Sequence, residues 1–112
     1  MTPTDLPAAL AEAIQASDRD ERQFFRIESL EHAVSVFEAA EPELAAAQIL
    51  VAMGVVTRFV EQDLTEAEGE AARLLAVRCL ASVHRYLLGG AAPRTLTEHY
   101  LPPWMAEAAR AA

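Results

Sequence analysis

One segment constrains the fold more than any other: residues 44–60, LAAAQILVAMGVVTRFV. A helix drawn through it is apolar on opposite sides, with Leu44, Val51 and Val55 on one side and Ile49, Met53 and Val56 on the other. Such a helix is typical of a protein core or of a membrane span. A span needs roughly 20 apolar residues, whereas this segment contains Gln48 and reaches Arg58. We therefore expect a central helix buried on all sides, which aspartate at Val51 or Met53 would unfold.

Composition favours an all-α protein. Hydrophobic residues make up 53% of the 112 residues, alanine is the most frequent of them, and there are four glycines. Alanine favours helix because it loses no side-chain entropy there. A chain of this length can bury a core without a metal or a disulfide. We expect one helical domain over residues 1–112, with residues 92–112 as a candidate docking tail.

Capping residues predict the first two helices. Thr4 or Asp5 would cap a short N-terminal helix over residues 8–16, with Pro7 in its first turn. Ser17 and Asp18 would open a second helix that runs to about residue 40.

Proline, a capping box and glycine delimit the other helices. Pro42 would begin the third helix, which ends near residue 63. Thr65 and Glu68 form a capping box for a fourth helix, which would end at Gly89 and Gly90. The prolines that follow divide the C-terminal segment into short helical pieces. The predicted fold is an antiparallel bundle of about four main helices, with a short N-terminal helix and a proline-punctuated C-terminal helical segment.

Two stripes run along the second helix. A packing seam is formed by Ile27, Leu30, Val34 and Phe37, and the nearly opposite face carries Phe25, Ser29, His32 and Val36. The second stripe is a candidate contact with another part of the protein or with a second copy. The C-terminal segment adds further apolar bulk, and Trp104 is expected to be docked there, because tryptophan is a common anchor in cores and interfaces. The interface candidates are Phe25, His32, Val36, Tyr100 and Trp104.

Charge and cysteine content limit the partners and the compartment. The formal net charge is −8 and the chain has no lysine, so phosphate backbones repel it. The N-terminal residues lack the basic and apolar regions of a secretory signal, and Cys79 has no second cysteine with which to pair. We expect a cytoplasmic protein that binds neither nucleic acid nor membrane.

No residue pattern predicts catalysis, and we assign no catalytic, cofactor-binding or metal-binding residue. Glu28 and Glu31 offer one pair of carboxylates of the kind that holds magnesium in all-α nucleotide pyrophosphohydrolases, but a second pair is missing. Cys79 faces the expected core and has no local histidine, which favours an inert thiol. A helix-turn-helix with its turn at Gly54 fits poorly, because the reading helix would be acidic.

The most consistent function is therefore a non-enzymatic helical interaction or regulatory protein. It would act as a homo-oligomer, most simply a dimer, or as a module that binds a partner helix. The alternative is a small-ligand or metal-dependent enzyme whose site lies between helices and leaves no linear motif.

Overall fold

The computed structural model describes residues 1–88, 96, 99 and 100. A 3₁₀ turn at Pro3–Asp5 precedes four α-helices: α1 (Leu6–Ser17), α2 (Gln23–Val36), α3 (Pro42–Glu61) and α4 (Glu66–Leu88). These residues contain no strand, so the all-α helical bundle is confirmed. The predicted stop at Gly89 and Gly90, the prolines beyond it and Trp104 lie outside the described residues.

α2 is shorter than expected at both ends. At its start, the Asp20 carboxylate accepts hydrogen bonds from the backbone N–H and the side-chain Nε of Arg22, both at 3.0 Å, and this local turn delays the helix. At its end, Phe37 is extended at φ −96° and ψ 143°. Gln48 holds this end in place, because its Nε2 donates to the carbonyls of Val34 at 3.0 Å and Phe37 at 2.8 Å. The predicted start at Ser17 and Asp18 and the predicted continuation to residue 40 were both wrong, since Ser17 is the last residue of α1.

The predicted starts of α3 and α4 are confirmed. Glu41 is extended at φ −138° and ψ 151°, and Pro42 occupies the first turn of α3, where its missing N–H does no harm. Before α4, the backbone N–H of Thr65 donates to Glu68 Oε1 at 3.1 Å, and the backbone N–H of Glu68 donates to Thr65 Oγ1 at 3.2 Å. This reciprocal pair is the expected capping box.

α3 and α4 form the most extensive helix pair, with one contact near each end of the pair. Near the end of α3, the Phe59 ring lies so close to the start of α4 that a Cβ on Gly69 would be 3.2 Å from it. Near the end of α4, Ser82 Oγ accepts a hydrogen bond from the backbone N–H of Ala39 at 2.9 Å, just before α3 begins. Arg85 pairs with Glu38 beside it, with Nε 3.0 Å from Oε2.

The core lies where α1, α2 and α4 meet one face of α3. Its most buried members are Leu6, Leu10, Ala13, Leu30, Val34, Leu44, Val51, Ala52, Val55, Ala76 and Cys79. Of the predicted seam on α2, Leu30 and Val34 are buried, whereas Phe37 lies beyond the helix and is 42% exposed. The seam therefore ends one turn earlier than its spacing suggested.

The expectation that α3 is buried on all sides was wrong. Its buried residues, Leu44, Ala45, Gln48, Val51, Ala52 and Val55, share one face. Met53, on the opposite side, is 61% exposed. Among the described residues, α1, α2 and α4 are too few to cover the whole circumference of α3, so apolar side chains remain exposed on its outer side.

Candidate interaction surface

The outer side of α3 is the largest exposed apolar feature of one helix in the described residues. We call it the α3 face and define it by Ile49, Leu50, Met53, Val56 and Val60, together with the half-exposed Phe59, which lies at its border with α4. All six side chains are more than a third exposed, and Val60 is 78% exposed. α3 carries no charged residue between Glu43 and Arg58, and the hydroxyl of the exposed Thr57 on this side donates to the backbone carbonyl of Met53 at 2.9 Å. Contiguous exposed apolar surface of this kind marks interaction sites.

Four members of the α3 face form a narrow stripe along the helix axis: Ile49, Met53, Val56 and Val60. Their separations are four, three and four residues, which is the heptad spacing of helices that pack side by side. The stripe is about 16 Å long at 1.5 Å per residue. It therefore presents to solvent the pattern that a helix normally presents to another helix.

A shallow apolar groove lies beside the α3 face, between α1 and α3. It encloses about 340 Å³ and is lined mainly by Pro7, Leu10, Ala11, Ile14, Ala46, Ala47, Leu50 and Val51. Leu50 belongs both to the groove and to the α3 face, so the two surfaces are continuous. Ile14, on the other side of the groove, is 51% exposed and extends the apolar surface onto α1.

The interface candidates on α2 also lie on the surface. Phe25 is 78% exposed, Val36 is about half exposed, and His32 is exposed. Ser29 and His32 make this stripe more polar than that of α3. Tyr100 is exposed too, and its ring meets His99 edge-on at 4.8 Å. Trp104 lies outside the described residues, so its expected docking stays a prediction.

A second concave region, of about 430 Å³, lies between α2, α3 and α4. Its polar lining includes Glu28, Glu31, Arg58 and Glu68. Arg58 Nη2 lies 3.3 Å from Glu31 Oε1, and the Glu31 side chain is only 16% exposed. Burial raises the pKa of the Glu31 carboxyl, and the nearby Arg58 guanidinium opposes that rise. The arrangement is an ion pair that joins α2 to α3.

The described residues do not assemble a metal centre. Within residues 1–88, 96, 99 and 100, no group of three histidine, cysteine or carboxylate side chains is placed to hold an ion. Glu28 and Glu31 do lie in one cleft, but Arg58 occupies the place beside Glu31 that a cation would take. Cys79 is fully buried, and burial raises the pKa of its thiol to about 11, which keeps it protonated and unreactive.

Sequence reasoning missed the α3 face because apolar residues on both sides of a helix do not reveal which side is covered. Leu44, Gln48, Val51 and Val55 on the buried side have the same separations of four, three and four residues as the outer stripe, so spacing alone does not distinguish the two sides. The role of Gln48 was also missed, since its partners are backbone carbonyls of another helix. Arg58 was noted only as a charge that ends the apolar segment, whereas it pairs with Glu31.

No known protein family, no curated protein and no solved structure matches this chain.

Proposed function

We propose that this protein is a non-enzymatic helical interaction or regulatory module that binds another protein molecule through the α3 face. The exposure of this uncharged apolar surface is the observation that supports the proposal. Leaving six large apolar side chains in water forgoes the stabilisation of roughly 25 cal/mol per Å² that their burial would bring. A partner that covers them recovers this free energy, which makes the surface suited to binding.

The net charge of the chain and the burial of one side of α3 also favour a module that binds another protein. A net charge of −8 disfavours nucleic acid and anionic membrane surfaces as partners. α3 is long and apolar enough to cross a membrane, but 33% of its most apolar 18-residue window is buried against the bundle. Gln48 and Val51 on that side hold α3 to the other helices, so a spanning α3 would have to leave the core. A cytoplasmic location is part of this proposal, since Cys79 is a free thiol.

The test asks whether the α3 face is available to a second molecule. Met53 reports on this directly, because peroxide oxidises accessible methionine to its sulfoxide. Mass spectrometry of the peptides gives the oxidation rate of Met53, with Met1, which is exposed, as the internal standard. Sedimentation velocity of the same sample gives the mass of the particle.

Two outcomes support the proposal: a monomer in which Met53 and Met1 are oxidised at similar rates, or an oligomer in which Met53 is protected. A monomer with protected Met53 contradicts it, because the chain then covers its own α3 face. A rise in melting temperature with magnesium or with nucleotides would instead favour the small-ligand or metal-dependent enzyme, since a ligand of the folded state stabilises it.

A further inference from the structure

We infer that the partner of the α3 face is a second copy of this chain, in a symmetric dimer whose two α3 helices cross in opposite directions. This inference rests on the proposed function and names its partner. The separations within the stripe, four, three and four residues, read the same in both directions along the helix. Two copies related by a two-fold axis therefore meet in register. Ile49 faces Val60 of the partner subunit, and Met53 faces Val56 of the partner subunit.

The distribution of charge favours the α3 face over the other surfaces of this acidic chain as the contact between two copies. Two molecules that each carry a net charge of −8 repel one another over most of their surfaces. Ile49, Met53 and Val56 lie in the stretch of α3 between Glu43 and Arg58, which is uncharged, so the central part of the contact places no like charges opposite each other. The same lack of charge gives a basic or an anionic partner no group to recognise.

The size of the surface also fits a dimer. A specific interface buries about 800 Å² on each partner, more than a single stripe of 16 Å provides. Leu50 and Phe59 flank the stripe on its two sides, and the groove between α1 and α3 extends it to Ile14. The contact therefore reaches two helices of each subunit. The stripe on α2 is less suited to this role, since Ser29 and His32 are two of its four residues.

The experiment measures the mass of the full chain by sedimentation over a range of micromolar concentrations. We expect a particle of twice 12.2 kDa. Met53→Glu should raise the dissociation constant about ten-fold or more, because it places a carboxylate of each subunit in the apolar contact. Its circular dichroism and melting temperature as a monomer should remain those of a folded bundle, since Met53 faces solvent within the subunit. Val60→Glu, at the end of the stripe, gives an independent variant with the same expectation.

The matched control is Phe25→Glu, which makes the same kind of change at an exposed position on α2. It should leave the dissociation constant unchanged. Cross-linking of introduced cysteines shows which helices meet in the dimer. The native Cys79 does not compete for the cross-linker, because it is buried and protonated. Met53→Cys should be joined to its symmetry mate by a short bifunctional maleimide, whereas Ser29→Cys on α2 should not.

The outcomes separate this inference from the proposed function. If the protein is a monomer at all concentrations and Met53 is oxidised, the inference that a second copy is the partner is wrong. The α3 face is then free to bind a different protein. A dimer that Phe25→Glu dissociates and Met53→Glu does not also overturns the inference, because the copies then meet on α2. A monomer with protected Met53 overturns the inference and the proposed function together.

Discussion

Gln48 shows how one buried polar side chain sets the end of a neighbouring helix. It is fully buried, and its amide nitrogen donates to the carbonyl of Val34, which a helix ending at Val36 would otherwise leave unpaired, and to the carbonyl of Phe37, which Ser82 Oγ also reaches at 3.4 Å. Its Oε1 has no hydrogen-bond partner among the described residues. The two bonds to the end of α2 therefore account for its place in the core.

Gln48→Leu keeps most of the volume and removes both donors. We expect the free energy of unfolding to fall by about 2 kcal/mol, because the buried Val34 carbonyl loses its Gln48 donor and the part-buried Phe37 carbonyl keeps only Ser82, while one unpaired oxygen is also removed. Urea denaturation measures the change. Gln15→Leu, at an exposed position on α1, is the control and should shift stability by no more than about 0.5 kcal/mol. Equal effects of the two substitutions would show that the bonds of Gln48 do not stabilise the fold.

Glu31 gives the protein a predictable dependence on pH. Its pKa in the folded state is raised above the ordinary 4.5, chiefly by burial, so the folded state binds the proton more tightly than the unfolded chain does. The free energy of unfolding should therefore decrease as pH rises from 4.5 through the raised pKa. Glu31→Gln should reduce this slope, as measured by urea denaturation at several pH values.

Glu28→Gln is the control for this prediction, because it removes the same charge from an exposed position on the same helix. It should retain most of the slope. If Glu31→Gln shows the slope of the unsubstituted chain, the dependence on pH comes from the general charge of the protein and not from this carboxyl.

At the scale of the helix, α3 has two apolar sides, one buried in the core and one exposed to solvent. Val51 is 5% exposed and Met53 is 61% exposed, although they are only two residues apart. Val51→Asp should unfold the domain, because an unpaired buried charge costs several kcal/mol against a total stability of about 5–15 kcal/mol. Met53→Asp should remain folded. Circular dichroism of the two purified variants distinguishes them, and a folded Val51→Asp protein would show that this side of α3 is not core.

The starts of α3 and α4 could be predicted from the sequence because their causes are local, whereas α2 starts later than predicted, after the turn at Asp20. Pro42 and the Thr65–Glu68 box act within one turn of the chain, and both lie where they were expected. The end of α2 depends instead on Gln48 and Ser82, which come from other helices, so no local pattern contains it. The same limit applies to the α3 face: neighbouring helices decide which of two apolar sides is covered.

At the scale of the whole molecule, the net charge of −8 should oppose assembly while the α3 face favours it. Charges separated by more than a Debye length of about 10 Å are screened at 0.1 M salt. If the second copy is the partner, we expect the dimer to tighten several-fold as sodium chloride increases from low concentration. Sedimentation equilibrium measures this change. Dissociation by salt would mean instead that ion pairs hold the subunits together.

The hydrogen bonds around Phe37 also predict an order of folding. The bonds of Gln48 join residues 14 and 11 positions apart in the chain, whereas those of Ser82 to Phe37 and Ala39 join residues 45 and 43 positions apart. Closing a short loop costs less chain entropy than closing a long one. The turn between α2 and α3 should therefore form before α4 docks on it.

Stopped-flow refolding in urea tests this order through two substitutions. Gln48→Leu should mainly slow refolding, because the bonds of Gln48 are already formed at the barrier, and Ser82→Ala should mainly speed unfolding. The reverse pattern would mean that α4 docks first. With the expected pattern, the chain reaches the barrier with the turn between α2 and α3 formed and α4 still undocked. The part of the inner side of α3 that α4 covers in the folded state is then briefly exposed together with the outer side, and in that interval the folding chain is most prone to aggregate.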